Sequence, residues 1–447
     1  MLSILPASAG AQAIDEPLTP PPAMESQIRF AERARSRAEA LLRTPAEAVP
    51  VPAMPQPGGM TLDELEQIAL ARNPTLAQAS AQVQAARGTW LQAGLYPNPS
   101  FGYVGSEIGN DGQGGQQGVF VGQEFVTGGK LRLDRNAASQ QVRQAEAWYA
   151  AQQQRVINDV RNSYYQVLVA QRSLELSNEL LRIGNEGYRT AEQLFEAQDI
   201  SRIDLLQARI EADQATVLLR RAENRRTAAW RALTAVLGMP DLPPQPLAGH
   251  LDATAPPLDW NETLYRILAE SPELGAAQAD AARAGWALRR AQIEPKPNVD
   301  VQASTQYDDA TQNQVASAQI GISVPIFNKN QGNIRRAEAE LTAARAEISR
   351  IELDLQNRLA AAFERNANAR QQTEIYSQQI LPNARRSLEL VTAGYRAGQL
   401  DYLNLLTAQR TYFQTSVTYL EALGELQQSL VAIDGLLLSG GLQRADR

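Results

Sequence analysis

From Met60 onward the chain alternates between long stretches, in which apolar side chains return every three or four residues, and short stretches in which they return every second residue. The first spacing belongs to one face of a helix, the second to one face of a strand. In the clearest short stretch Val299, Val301, Ala303, Thr305 and Tyr307 alternate with Asp300, Gln302, Ser304, Gln306 and Asp308. Beyond the polar loop DDATQNQ the pattern returns, with Ala316, Ala318, Ile320, Ile322 and Val324 apolar and Ser317, Gln319, Gly321 and Ser323 small or polar. Together they predict a β-hairpin over 298–327. A less regular hairpin is predicted over 98–127, from Phe101 and Tyr103 before a Gly-rich loop and Val119, Val121 and Phe125 after it.

Each hairpin is approached through a pair of prolines one residue apart, Pro97 and Pro99 or Pro295 and Pro297. Proline fixes φ and withdraws an amide donor, so these pairs stop the preceding helix and extend the chain. After each hairpin a long helical tract is predicted, from Leu131 to about Ala197 and from Ile334 to about Ala397, with only Gly184, Gly187, Pro382 and Gly394 as weak stops. Each would reach about 90–100 Å at 1.5 Å per residue. Near the second start Ile334, Leu341, Ile348 and Leu355 are seven apart, with Ala337, Ala344 and Ile351 in the paired register. Such a half-alanine seam lets helix axes approach closely, as in antiparallel coiled coils. Return helices are predicted over Ile203–Leu237 and Leu403–Leu438, the latter with an apolar stripe of Leu403, Leu406, Phe413, Val417 and Leu420.

The landmarks occur twice, in the same order. Asn73-Pro74 recurs as Ser271-Pro272, Pro97-Asn98-Pro99 as Pro295-Lys296-Pro297, and FEAQDISRIDLLQAR (195–209) aligns without gaps on YRAGQLDYLNLLTAQ (395–409). The chain therefore reads as a first repeat (60–238), a Pro-rich linker (239–258), a second repeat (259–438) and a polar tail (439–447). A Pro-rich arm (14–59) with one amphipathic helix over Met24–Leu42 precedes them. Residues 1–13, ending in Ala11-Gln12-Ala13, read as the remnant of a signal peptide.

No run of about 18 apolar residues is present, so strands must make any membrane contact. Four strands of about ten residues each suit a tilted bilayer span. Four cannot close a barrel, and membrane strands leave no edge unpaired in lipid, so chains must pool them. Two chains or three would serve, and the pattern does not choose. The apolar row, Val299, Val301, Ile320, Ile322 and Val324, is expected to face lipid; Asp300, Gln302, Ser317 and Gln319 are expected to face a wet lumen. The alternative, a sheet packed on a soluble core, lacks a segment of matching size to cover it.

Composition removes other classes. With 42 Lys+Arg against 49 Asp+Glu the net charge is −7, contrary to the basic excess of a nucleic-acid binder. Arg220, Arg221, Arg225 and Arg226 read as a solvated helix face. There is no cysteine, and the single histidine, His250, reads as an exposed residue of the linker. Phosphate-binding loops and nucleophile motifs are absent, so no enzyme, cofactor or metal site is expected.

These features resemble the TolC-like outer-membrane efflux proteins over about residues 60–438. The resemblance rests on the repeated N/S-P helix start, the P-x-P approach to each hairpin, the segment VPIFNKNQG (324–332) and the paired tips 195–209 and 395–409. VPIFNKNQG is similar to the subgroup serving heavy-metal efflux pumps. The resemblance implies a mainly α fold with a small β part. Long antiparallel coiled-coil helices and four transmembrane strands per chain would assemble in a homotrimer as a twelve-stranded barrel and a twelve-helix tunnel. It further implies a passive gated duct in the outer membrane of a Gram-negative-type bacterium, mostly periplasmic, in contact with outer-membrane lipid and docked by a periplasmic adaptor and an inner-membrane pump.

In that family acidic side chains at the periplasmic helix tips constrict the pore. Asp204 matches an acidic position, whereas Asn404 and Thr407 stand where relatives carry aspartates and Leu400 where an arginine partner would sit. Asp401, Asp199 and Arg202 are the nearby charges that could substitute, and Asp401 and Ser201 also stand where a helix cap belongs. Two alternatives remain at this point: a soluble coiled-coil structural protein, and a periplasmic adaptor subunit. An adaptor would carry one helical hairpin flanked by β-rich domains, whereas two hairpin units alternate with two strand pairs here.

Overall fold

The computed structural model describes residues 59–109, 114–251, 257–396 and 399–443. The signal remnant, nearly all of the arm with its helix over Met24–Leu42, and the end of the tail lie outside the described residues. In chain order the elements are α1 (Leu62–Arg72), α2 (Pro74–Gln92), β1 (Ser100–Ser106), β2 (Gln116–Phe125), α3 (Lys130–Glu196), α4 (Arg202–Val236), α5 (Trp260–Glu270), α6 (Pro272–Ile293), β3 (Val299–Asp308), β4 (Asn313–Ile322), α7 (Gln331–Ile375), a π-helical turn (Tyr376–Ile380), α8 (Leu381–Arg396) and α9 (Tyr402–Asp434).

The repeated N/S-P landmark is a joint between two helices. Asn73 ends α1, and its side chain caps α2 by accepting from the Thr75 amide, while Pro74 occupies the first helical position, where a missing donor costs nothing. Ser271 and Pro272 repeat the arrangement between α5 and α6. The long helices start on left-handed residues, Gly129 for α3 and Asn330 for α7.

Gly184 and Gly187 do not interrupt α3, whose 67 residues run for about 100 Å at 1.5 Å per residue. The second long tract departs from the expected single helix. It widens into the π turn Tyr376–Ile380 just before Pro382. Proline has no amide and its ring crowds the carbonyl four residues back, and a wider turn relieves both. On α7 the heptad positions are the protected ones: Ala337 and Leu355 are buried and Ile334, Leu341, Ala344, Ile348 and Ile351 half-buried. The stripe on α9 needs correction at its start, because Leu403 is 59% exposed while Tyr402, Leu405 and Leu406 are buried. Tyr402 turns inward to meet Tyr395, which rotates the buried face by one residue.

Two apolar clusters hold the middle of the molecule. One joins Leu65 and Leu76 to Val156, Val160 and Val167 of α3 and to Trp230 and Leu233 of α4. The other joins Ile267 to Leu355, Leu359 and Ile433, with Trp260 edge-on to Phe363 at 5.2 Å. The linker adds to the first: Leu247 and Leu251 are buried, and the Tyr164 hydroxyl donates to the Ala248 carbonyl at 2.6 Å. His250 is exposed, as expected. The chain's end is strapped to α3. Asn158, fully buried, donates to the carbonyls of Gly435 and Leu438, and the Asp159 carboxylate accepts from the amides of Gly440 and Gly441. Burial outweighs those two donors and Arg155, and holds the Asp159 carboxyl above its ordinary range.

The four strands form one antiparallel sheet in the order β1-β2-β3-β4. β2 and β3 pair over ten residues, from Gln116 opposite Asp308 to Phe125 opposite Val299, so one hairpin from each repeat contributes to a common sheet. β1 and β4 are its open edges.

Candidate functional site

The register sorts the strand residues into two faces. Val299 lies opposite Ile322 and Val301 opposite Ile320 on one face, which continues through Val121 to Phe101. Asp300, Gln302, Ser317 and Gln319 lie on the other, Gln302 directly opposite Gln319. Val324 follows the end of β4 and is 66% exposed. Among the described residues nothing covers the apolar face, where Phe101 and Ile320 are 76% and 74% exposed. Such a row of large bare side chains is stable only against an apolar medium or another apolar surface.

A polar knot ties the sheet to the helices below it. The Asn298 amide donates to Glu124 at 2.6 Å, and its oxygen accepts from the buried Lys130 ammonium at 3.0 Å and from the Thr127 amide. The Thr127 hydroxyl closes the knot on the Pro297 carbonyl. Lys130 is also within 3.8 Å of Glu294, so the buried cation is compensated. Glu124 and Asp300 stand opposite each other on the polar face. Sequence reasoning singled out neither Lys130 nor Asn298; the local signal was the residue following the double glycine and the one following the second P-x-P pair.

At the first tip Gln198 takes a left-handed conformation, and the Asp199 amide returns to the Leu194 carbonyl. Ser201 and Asp204 then form a reciprocal cap: the Ser201 amide and hydroxyl donate to the Asp204 carboxylate at 3.1 and 2.7 Å, and the Ser201 oxygen accepts from the Asp204 amide. Asp204 therefore serves the start of α4, and Arg202 beside it is exposed. At the second tip Asp401 stands at the cap position of α9 but its side chain caps no amide; it accepts instead from the Asn404 side chain at 2.5 Å. Thr407 donates back to the Leu403 carbonyl, and Asp401, Asn404 and Thr407 are all exposed.

The contacts that join the two tips lie just above these residues. Ala191, Ala208, Tyr395, Tyr402, Leu405 and Leu406 form a buried cluster drawn from α3, α4, α8 and α9. The Tyr395 and Tyr402 rings meet edge-to-face at 5.9 Å, and the buried Tyr395 hydroxyl has no hydrogen-bond partner among the described residues. At the cluster's rim Arg410 of α9 donates to Glu211 of α4, from Nη2 at 2.7 Å and from Nε at 3.2 Å. Glu211 is 7% exposed. Sequence reasoning missed this pair. The signal available was that the aligned repeats differ in charge just beyond the tips, where Ile210 and Glu211 stand against Arg410 and Thr411.

Burial, then the Glu211 charge, then Tyr395 push the Tyr402 hydroxyl up to about 12. Because the folded value lies above the unfolded one, the folded state holds this proton more tightly. Its contribution to stability is complete below the ordinary tyrosine range near 10 and is lost as the pH rises toward 12. Tyrosinate absorbance of the wild type minus that of Tyr402→Phe is expected to show one group titrating near 12. A difference curve centred near 10 would show that Tyr402 is solvated.

The pattern of the family described as outer membrane efflux protein matches the chain twice, over residues 65–239 and 263–437. The chain belongs to the outer membrane efflux protein family. It is similar to the cobalt-zinc-cadmium resistance protein CzcC of Cupriavidus metallidurans, 28% identical over 394 residues that cover 88% of this chain and 94% of that one. It is similar also to the cation efflux system protein CusC of Escherichia coli K12, 26% identical over 387 residues covering 79% and 81%. Its fold matches the solved outer-membrane channel OprN with a TM-score of 0.72 at 20% identity, over 90% of this chain and 98% of that one. The resemblance read from the repeated motifs is thus borne out. This outer membrane efflux protein is a channel located in the outer membrane of a Gram-negative bacterium. Its family is one of passive channels rather than enzymes.

Proposed function

We propose that three copies pool their sheets into a twelve-stranded barrel, continued by a tunnel of twelve helices, and that the duct passes metal cations handed over by a periplasmic adaptor and an inner-membrane pump. The observation that carries this reading is the sheet: four strands, two open edges and one bare apolar face. A single chain leaves two strand edges unpaired, which lipid does not tolerate, and joining β4 of each copy to β1 of the next removes every edge. Val299, Val301, Ile320, Ile322 and Val324 then face lipid, and Asp300, Gln302, Ser317 and Gln319 line the lumen. Arg202, Asp204, Asp401, Asn404 and Thr407 surround the periplasmic mouth.

The cation cargo is supported by the names of the two relatives, a cobalt-zinc-cadmium resistance protein and a cation efflux protein. With no cysteine and one exposed histidine, the chain offers few soft ligands, so selection among metals falls to the pump. Detergent-solubilised protein is expected to give the mass of three chains by native mass spectrometry and, in a planar bilayer, a conductance that favours cations. A monomer soluble without detergent would sink the barrel; an anion-selective pore would sink the cargo.

A further inference from the structure

We propose that a collar of basic side chains at the helix end of the sheet binds anionic phospholipid headgroups of the periplasmic leaflet; this rests on the reading of the strands as the membrane span. The chain sorts its charges about the sheet. From Ser100 to Gly129 and from Pro297 to Asn328, the stretches that hold the strands and the loops of the two hairpins, there are six acidic residues and no lysine or arginine. Directly outside them the sign reverses. Residues 130–135, 289–296 and 329–336, where α3 and α7 begin and α6 ends, hold nine Lys or Arg against two Asp or Glu. Nine against two leaves +7 on one level of a chain whose total is −7.

The two acidic residues of this level do not neutralise it. Asp134 and Glu294 both accept from Arg290, and Glu294 also lies 3.8 Å from Lys130. Arg132, Arg289, Lys296, Lys329 and Arg335 are exposed and have no acidic partner among the described residues. Nor do they reach the carboxylates of the polar sheet face: Glu124 is taken by Asn298, and none of the five contacts Asp300 among the described contacts. An ordinary solvated helix face mixes its signs, as Arg220 does with Glu223 on α4. A second observation at the same level points to a bilayer. Phe327, just past β4, is 91% exposed, and Tyr96, just before β1, is 70% exposed. Bare aromatic rings beside unpaired cations, at the edge of an apolar band, are what a bilayer interface accommodates: the rings sit among the headgroups and the cations meet their phosphates. A zwitterionic lipid brings its own cation and leaves the collar uncompensated, so the headgroup that fits is one of net negative charge.

The test uses the full-length protein, reconstituted in vesicles of phosphatidylcholine with a minor share of phosphatidylglycerol, re-solubilised in mild detergent and examined for retained lipid by native mass spectrometry. The wild type is expected to retain phosphatidylglycerol several-fold above its share in the vesicles, the excess falling as salt is raised. The quadruple variant Arg132→Gln, Lys296→Gln, Lys329→Gln and Arg335→Gln is expected to retain the two lipids in the vesicles' own ratio, and Lys329→Gln with Arg335→Gln alone to lose part of the excess. The matched control, Arg220→Gln, Arg221→Gln, Arg225→Gln and Arg226→Gln, removes the same charge from α4 and is expected to keep the excess. Equal loss in the collar variant and this control overturns the proposal. So does an excess that inorganic phosphate abolishes at constant ionic strength, which would make the collar a site for free anions. A wild type that inserts but shows no excess rejects the collar alone and leaves an acidic protein segment as its partner. A protein that does not float with either kind of vesicle rejects the membrane span itself.

Discussion

The double variant Val301→Arg with Ile320→Arg is expected to fold its helical arms and yet fail to enter the outer membrane. The two residues face each other across β3 and β4, one pair in from the helix-side end of the apolar face. An arginine on the lipid face of a barrel costs about 2–4 kcal/mol at the bilayer midplane and about 0–1 kcal/mol near the interfaces, so two between these depths cost about 2–5 kcal/mol per chain. Summed over the copies of an assembly, that is comparable to the whole folding stability of an ordinary domain, about 5–15 kcal/mol. The control uses the neighbouring pair, Gln302→Arg with Gln319→Arg, which are also directly opposed but on the polar face. That variant is expected to insert normally and to shift the pore's preference from cations toward anions. Recovery in the outer-membrane fraction and the mass of the assembly measure both. Equal loss in the two variants would mean that the faces are not sorted between lipid and lumen.

That experiment can be designed because the strand faces were legible in the sequence, and the reason is local. A period of two fixes which side chains share a face before any partner is known, so Val301 and Gln302 were separable from their spacing alone. The heptad seam from Ile334 to Leu355 was legible for the same reason, as were the helix stops at the P-x-P pairs. What escaped was set by contacts across the chain. The inward turn of Tyr402, which displaces Leu403 from the buried stripe, depends on Tyr395 lying opposite it. Likewise nothing near Glu211 announces its partner, which is 199 residues away. Asp204 shows a third limit. A carboxylate three residues into a helix start satisfies the requirements of a cap and of an acidic pore residue equally well, and only geometry shows that Ser201 engages it. The π turn before Pro382 lies between these cases: the proline was visible, but whether the helix would break or widen depended on its packing.

Gly118→Ala is expected to cut the sheet in two, although it adds a single methyl group. A Cβ at Gly118 would overlap the Thr305 carbonyl oxygen and stand 2.5 Å from the Gln306 Cα, both backbone atoms of the neighbouring strand. A flexible side chain could move aside, whereas a backbone strand can do so only by giving up its ladder. The ladder at stake, β2 with β3, is the one that joins the hairpin of the first repeat to that of the second. Without it each chain brings two separate hairpins, and every copy adds two further unpaired edges, each buried orphan group costing several kcal/mol in lipid. Gly321→Ala is the matched control, a glycine on the same polar face of β4 with nothing within 4 Å of a new Cβ. The control is expected to assemble in the outer membrane as the wild type does, while Gly118→Ala is expected to be recovered outside the membrane or as unassembled chains. Normal assembly of both variants would mean that the two hairpins do not pair through β2 and β3 in the membrane. The barrel would then have to close with a different neighbour at that edge.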